Sequence, residues 1–253
     1  MNLNEYAKIY DWEFELICSR QKHDVKLWKK LAQHYGGPIL DVCCGSGRVT
    51  QALAKMGFVI TALDNSKEML KILKNKHLRN VKTVLADMTD FSLEQKFKLI
   101  IISYSSFQQL LTLKDQAKCL ESIKKHLAED GVLAMDINPH ILEGTDILEN
   151  EIAFIADNPE RNSRITMFTS HKIDRKNKIK HWQDTYVEIN AEGKRNEFKN
   201  FISLKECDQN YMKMLFEKTG YKIINIFGDF DGGKVTANSD NMIYAVKSSY
   251  KTF

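Results

Sequence analysis

The chain has 253 residues, a formal charge of +4 at neutral pH, 43% hydrophobic and 28% charged residues, which suits one globular core carrying an insertion. No stretch approaches the roughly 18 to 20 apolar residues that span a bilayer, and MNLNEYAKIYDWEFEL has acids and aromatics where a secretion signal has a basic start, so a cytoplasmic protein with no membrane contact is expected. The cysteines (Cys18, Cys43, Cys44, Cys119, Cys207) are odd in number and scattered, with no C-x-x-C pair, so neither a disulfide framework nor a zinc site is signalled and reduced thiols are expected.

From residue 38 the chain alternates short apolar runs with longer amphipathic ones, the mark of strand–helix–strand units on a parallel sheet. Strands are predicted at 38–43 (PILDVC), 59–64 (VITALD), 81–85 (VKTVL), 99–103 (LIIIS) and 131–137 (GVLAMDI). Helices are predicted at 48–56, 67–75 and 114–127, the second with Ser66 at its N-cap and Met69, Leu70 and Leu73 on one face. Residues 160–205 change period. Segments 164–173, 179–189 and 197–204 alternate polar and apolar residues around the turn-like DRKNK and NAEGK, so an antiparallel β-meander is expected after the fifth strand. That insertion lies at the carboxyl end of the sheet, where open α/β folds bind ligands. A helix over 210–219 closed by Gly220, then strands at 221–227 and 242–247 around a glycine- and aspartate-rich connection, complete the expected fold: α/β, a doubly wound, Rossmann-like, seven-stranded, mostly parallel sheet.

The turn after the first strand reads Asp41-Val-Cys-Cys-Gly-Ser-Gly-Arg-Val-Thr50. Gly45 and Gly47 let backbone approach a ligand, and the helix start behind them offers free N–H donors. Asp64, about 20 residues further on at the end of the second strand, is placed to accept from the two hydroxyls of an adenosine ribose, with Asn65 and Met69 beside it. Thr50 stands where a dinucleotide fingerprint has its third glycine, and Asp41 would repel a pyrophosphate while attracting a cationic amino-acid tail. After the third strand, Asp87 can accept from an adenine amino group while Met88 packs on the ring. Together these residues favour S-adenosylmethionine (SAM) over a nicotinamide dinucleotide as the cofactor.

Over residues 38–138 this D-x-x-C-G-x-G segment, with an acid closing the second strand and another after the third, resembles the class I SAM-dependent methyltransferases. More loosely, EYAKIYDW, the inserted sheet and the ending NYMKMLFEKTGYKI…GDFDG resemble the subgroup that methylates nitrogen of amino sugars and glycine-like amines. The resemblance implies an N-terminal helical cap over 1–37, whose Tyr6, Tyr10 and Trp28 help cover SAM. It further implies a SAM-binding domain over 38–150 continued by 206–253, and an inserted sheet over 151–205 that forms a substrate lid or a homodimer contact. Cys43 would offer backbone atoms to the cofactor, and Ser103 with the residues after it would face the methyl group.

Tyr104 and His140 are the candidate catalytic residues. Tyr104 can orient an acceptor, and an imidazole at the end of the fifth strand can take a proton, since histidines titrate near neutrality. Phe107, Asn138, Trp182 and Tyr186 are candidates for binding the acceptor; Trp182, Asp184 and Tyr186 alternate on one face of the meander as an aromatic and acidic wall, with ordinary cross-strand packing as the plainer reading. Ser103-Tyr104-Ser105-Ser106-Phe107 departs from the N/D-P-P-Y/F motif of adenine and glutamine-amide methyltransferases. The basic runs at 71–79 and 172–180 read as solvated surface rather than a nucleic-acid face. The expected reaction is in-line methyl transfer to the nitrogen of a small polar metabolite, with no metal required. Transfer to oxygen, an RNA or protein acceptor, and a non-catalytic SAM-binding subunit are the alternatives.

Overall fold

The structure, a computed structural model, describes residues 3–18 and 24–249. These fall into two compact units: residues 3–18 with 141–206, and residues 24–140 with 207–249. In chain order the elements begin α1 (Leu3–Cys18), α2 (Asp24–Tyr35), β1 (Ile39–Val42), α3 (Arg48–Ala54), β2 (Ile60–Asp64), α4 (Lys67–Asn75) and β3 (Val81–Leu85). There follow β4 (Phe97–Ile102), a 3₁₀ turn (Ser106–Gln109), α5 (Leu113–Lys124) and β5 (Leu127–Ile137). The chain continues through β6 (Ile147–Asn158), β7 (Ser163–Asp174), β8 (Ile179–Asn190) and β9 (Arg195–Lys205), and closes with α6 (Gln209–Lys218), β10 (Tyr221–Phe227) and β11 (Met242–Ser248).

The larger unit holds a seven-stranded sheet in the order β10-β11-β5-β4-β1-β2-β3. β1 to β5 run parallel, and β11 is antiparallel to both β5 and β10. The central strands are apolar on both faces because both faces are covered. Leu40, Val42, Ile100 and Ile102 point into one core with Leu120 and Ile123 of α5 and Leu215 and Phe216 of α6. Ile39, Leu99 and Ile101 point the other way, against Leu27, Trp28 and Leu31 of α2 and Val49 and Leu53 of α3. The doubly wound, mostly parallel sheet expected from the sequence is the one observed, and Ser66 caps α4 by accepting from Met69 N–H at 3.2 Å. Among the described residues no helix is long and apolar enough to cross a membrane.

The smaller unit packs α1 on a four-stranded antiparallel sheet, β6-β7-β8-β9. Ile9 meets Ile165, Met167, Tyr186 and Phe198 in its core, flanked by Tyr6, Trp12 and Phe154. Arg161 donates to both oxygens of Glu188, at 2.6 and 2.8 Å. This pair holds the Glu188 carboxyl down at about 2, although burial opposes it.

Two elements differ from expectation. The meander has a fourth strand, β6, in a segment whose period-two alternation is broken by register shifts between Leu148 and Glu151 and between Ile152 and Phe154. Each irregularity turns the following side chains to the other face, so no regular pattern survives in the sequence. The helix expected to reach Leu127 ends at Lys124, and Leu127 already pairs with Phe97 in β5. β5 then shifts register before Leu99 meets Val132, and Gly131 sits where a Cβ would lie 2.6 Å from the Phe97 carbonyl oxygen. Gly131→Ala should therefore cost about 1 to 3 kcal/mol of stability, read as a lower urea midpoint, whereas Gly193→Ala has open space at its Cβ and pays only for its positive φ.

Candidate active site

Sheet order reverses between β1 and β4, so α3 after β1 and the 3₁₀ turn after β4 leave their strands on opposite faces and open a crevice at the carboxyl ends. On the β1 side, Cys43 has φ 58°, and Gly45 and Gly47 have φ 56° and 91°. Gly47 is required twice over: its backbone is left-handed, and a Cβ would fall 2.3 Å from Leu73 Cδ1. Gly45 donates its N–H to Asp64 Oδ2 at 2.8 Å, and Ser66 N–H reaches Asp64 Oδ1 at 2.8 Å. A carboxylate has about four acceptor sites, so Asp64 keeps capacity for a ribose hydroxyl beyond the backbone N–H groups it already holds. Burial raises its pKa, and the N–H groups of Ser66, Gly45 and Asn65 pull it back.

Asp41 is buried at 1% exposure on β1. Its Oδ2 accepts from Thr50 Oγ1 at 2.6 Å, which ties α3 to the strand, while Oδ1 is buried without a hydrogen-bond partner. Desolvation lifts this carboxyl to about 6, against the Thr50 bond and the nearby Arg48 charge. An orphan buried carboxylate oxygen beside a glycine turn fits the ammonium of a SAM amino-acid tail. The open space at Gly45 fits close approach of the same ligand. Cys43 Sγ lies 3.5 Å from Met88 Sδ, bringing the first and third strand ends together. Burial, then the Asp64 charge, pushes the Cys43 thiol up, so it acts as a small apolar group and not a thiolate. Asp87 is exposed and holds Thr89 N–H at 2.7 Å, Asn65 is exposed, and Met69 is half-buried in the first turn of α4.

On the β4 side, Ser103 is buried and its carbonyl accepts from Ser106 Oγ at 2.7 Å. Tyr104 is 53% exposed, with the Arg48 guanidinium 5.8 Å from its ring centroid. Asn138 and His140 are half-buried at the end of β5, and Asn138 Oδ1 accepts from His140 N–H at 2.9 Å. Two expectations in this unit are corrected. Phe107 is 0% exposed inside the core and serves as an anchor, not an acceptor contact; Trp28 is 0% exposed beneath the sheet, near Phe230, and is not a cofactor cover.

Tyr6, Tyr10, Trp182 and Tyr186 belong to the smaller unit. Tyr186 is 1% exposed, stacked on Phe198 at 5.1 Å, and donates to Glu13 Oε1 at 2.6 Å; this corrects its reading as an open acceptor wall. Tyr6 packs against both Tyr10 and Tyr186, and Lys180 Nζ lies 4.8 Å from the Trp182 ring centroid. Burial raises Glu13 to about 7, with the Tyr186 and Tyr6 hydroxyls opposing the rise.

Sequence reasoning passed over Arg48, Asp24 and Asp136. Arg48 opens α3, where a cation opposes the helix dipole, and it forms an ion pair with the buried Asp24. Asp136 interrupts the apolar run of β5, and its carboxylate accepts the N–H groups of Tyr104 and Ser105 at 2.6 and 2.8 Å. A cation in a helix's first turn and an acid in a buried strand were the available signals.

Residues 39–131 match the family of the methyltransferase domain. The protein YqeM of Bacillus subtilis is 27% identical over 53% of this chain, and the match spans about half, 54%, of that relative's length. Glycine/sarcosine N-methyltransferase of Halorhodospira halochloris is 24% identical over 98% of this chain and 88% of its own. dTDP-3-amino-3,6-dideoxy-alpha-D-glucopyranose N,N-dimethyltransferase of Streptomyces fradiae is 33% identical over 39% of this chain and 38% of its own. An S-adenosylmethionine-dependent methyltransferase from Clostridium acetobutylicum shares the fold, with a TM-score of 0.78, 20% identity and coverage of 99% of this chain and 100% of that one.

Asp64→Ala should weaken binding of S-adenosylhomocysteine, the demethylated cofactor, at least about tenfold in isothermal titration, since hydrogen bonds to a charged group are lost. The ammonium is drawn only to ionised Asp41, so affinity should rise as pH rises through about 6 and level off above it. Asp41→Asn should flatten that dependence.

Proposed function

We propose that this chain is an S-adenosylmethionine-dependent methyltransferase that acts on the nitrogen of a small polar amine, an amino sugar or a glycine-like amine. The observation that carries the reading is that relatives named for amine methylation match 39% of the chain in the sugar enzyme and 98% of it in the glycine/sarcosine enzyme. The polar rim at the ends of β4 and β5 suits such an acceptor: Ser103, Tyr104, Asn138 and His140 offer hydroxyl, amide and imidazole groups.

When bound, SAM supplies a methyl group made electrophilic by its sulfonium, so the protein's tasks are alignment and exclusion of water. Asp41 and the Gly45–Gly47 turn hold the amino-acid tail, Asp64 holds the ribose, and Asp87 and Met88 hold the adenine. Tyr104 orients the acceptor on the line of displacement. An amine attacks only through a free lone pair, and His140 takes the proton that an ammonium form must lose.

The test incubates the protein with methyl-labelled SAM and separate pools of small amines, small alcohols and phenols, RNA, and protein. Label should enter the amine pool; label confined to any other pool, or to none, contradicts the proposal. With the accepted amine, His140→Ala should lower kcat about a hundredfold near neutral pH while affinity for S-adenosylhomocysteine stays unchanged.

A further inference from the structure

We propose that Asp136 is the positioning residue of the acceptor rim: its buried carboxylate clasps the backbone of Tyr104 and Ser105 and so fixes where the Tyr104 side chain stands. The inference rests on reading residues 103–108 as that rim. Asp136 is 2% exposed near the end of β5. Its Oδ1 accepts Tyr104 N–H at 2.6 Å, and its Oδ2 accepts Ser105 N–H at 2.8 Å and Ser105 Oγ–H at 3.3 Å.

The backbone it holds is unusual. Tyr104 and Ser105 have φ 60° and 54°, a left-handed conformation in which the Cβ crowds the following carbonyl. Two successive residues with side chains stay there only when their surroundings over-determine the conformation. A second clasp lies four residues on, where the fully buried Gln108 donates to the Asn138 carbonyl at 3.0 Å and accepts Asn138 N–H at 2.8 Å. The β4 turn is thus pinned to the end of β5 at two points. Only the first uses a charge, and only the first grips the strained residues.

The clasp needs both oxygens as acceptors. An amide in place of the carboxylate offers one acceptor and turns an NH₂ group toward an N–H. The charges facing Asp136 are Arg48 of α3, which favours its ionised form, and Asp24 of α2, which opposes it. Burial is the largest influence and, against the Ser105 and Tyr104 N–H bonds, leaves the carboxyl at about 6. Raising the pH through that value completes the clasp, and lowering it weakens the clasp, because a protonated carboxyl is a poorer acceptor than a carboxylate.

Two measurements on the intact protein test this. In ¹⁵N-labelled protein the Tyr104 and Ser105 amide signals should titrate together with a midpoint near pH 6 and lose that titration in Asp136→Asn. With the accepted amine, Asp136→Asn should lower kcat at least about tenfold, with affinity for S-adenosylhomocysteine held within about threefold. Adding Ser105→Gly should recover at least about threefold of that kcat, because glycine adopts the left-handed conformation without a clasp. Amide signals indifferent to Asp136→Asn overturn the proposal even if no amine is methylated, in which case the functional reading fails separately. A folded Asp136→Asn protein with kcat within about twofold of the wild type also overturns it, as does a kcat loss matched by lost cofactor affinity and not relieved by Ser105→Gly.

Discussion

A parallel sheet whose strand order reverses beside its first strand cannot cover its own carboxyl edge, because the connections on either side leave in opposite directions. Here the reversal falls between β1 and β4, and the features assigned to the cofactor and the rim follow from it. The Gly45–Gly47 turn lies on one bank and the Tyr104–Ser105 turn on the other. Both are left-handed, since the chain must bend sharply away from the crevice. The two banks are joined by Arg48, which reaches from the first turn of α3 to the Tyr104 ring.

That guanidinium organises the charge. Asp24, Asp41 and Asp136 are each less than a tenth exposed, and Arg48 interacts with all of them. Burial is the largest influence on both Asp41 and Asp136 and lifts each to about 6, while the Arg48 charge opposes the rise. A buried acid without a full set of partners costs stability. Asp41 Oδ1 is such a group, and on the proposed reading an incoming ammonium would both satisfy it and share the charge. On that reading part of the site's electrostatic complementarity is reserved for the ligand, in keeping with the tendency of functional sites to break local rules.

Much of this was legible in the sequence because it is local. The apolar runs of β1, β2 and β4 announce buried parallel strands, and Asp41, Gly45, Gly47 and Asp64 sit within two adjacent units at spacings that imply one edge. What was missed depends on distant partners. Asp136 reads as an irregularity in a strand until Tyr104, 32 residues earlier, is folded beside it. Tyr186 reads as half of an alternating face until Glu13, 173 residues earlier, lies across its hydroxyl. Phe107 follows a strand on a polar segment, and nothing in its neighbours shows that the 3₁₀ turn drives its ring inward. β6 was invisible for a different reason: its irregular register removes the alternation by which strands are recognised.

The central claim is that the crevice beside β1 takes a ligand with an adenosine and a cationic amino-acid tail. It is tested most directly by calorimetric titration of the protein at pH 7.5 (about 1.5 units above the value for Asp41) with S-adenosylhomocysteine and, separately, with NAD. The account predicts saturable binding of the first at one site per chain and none of the second. Binding of NAD in preference to S-adenosylhomocysteine would contradict it.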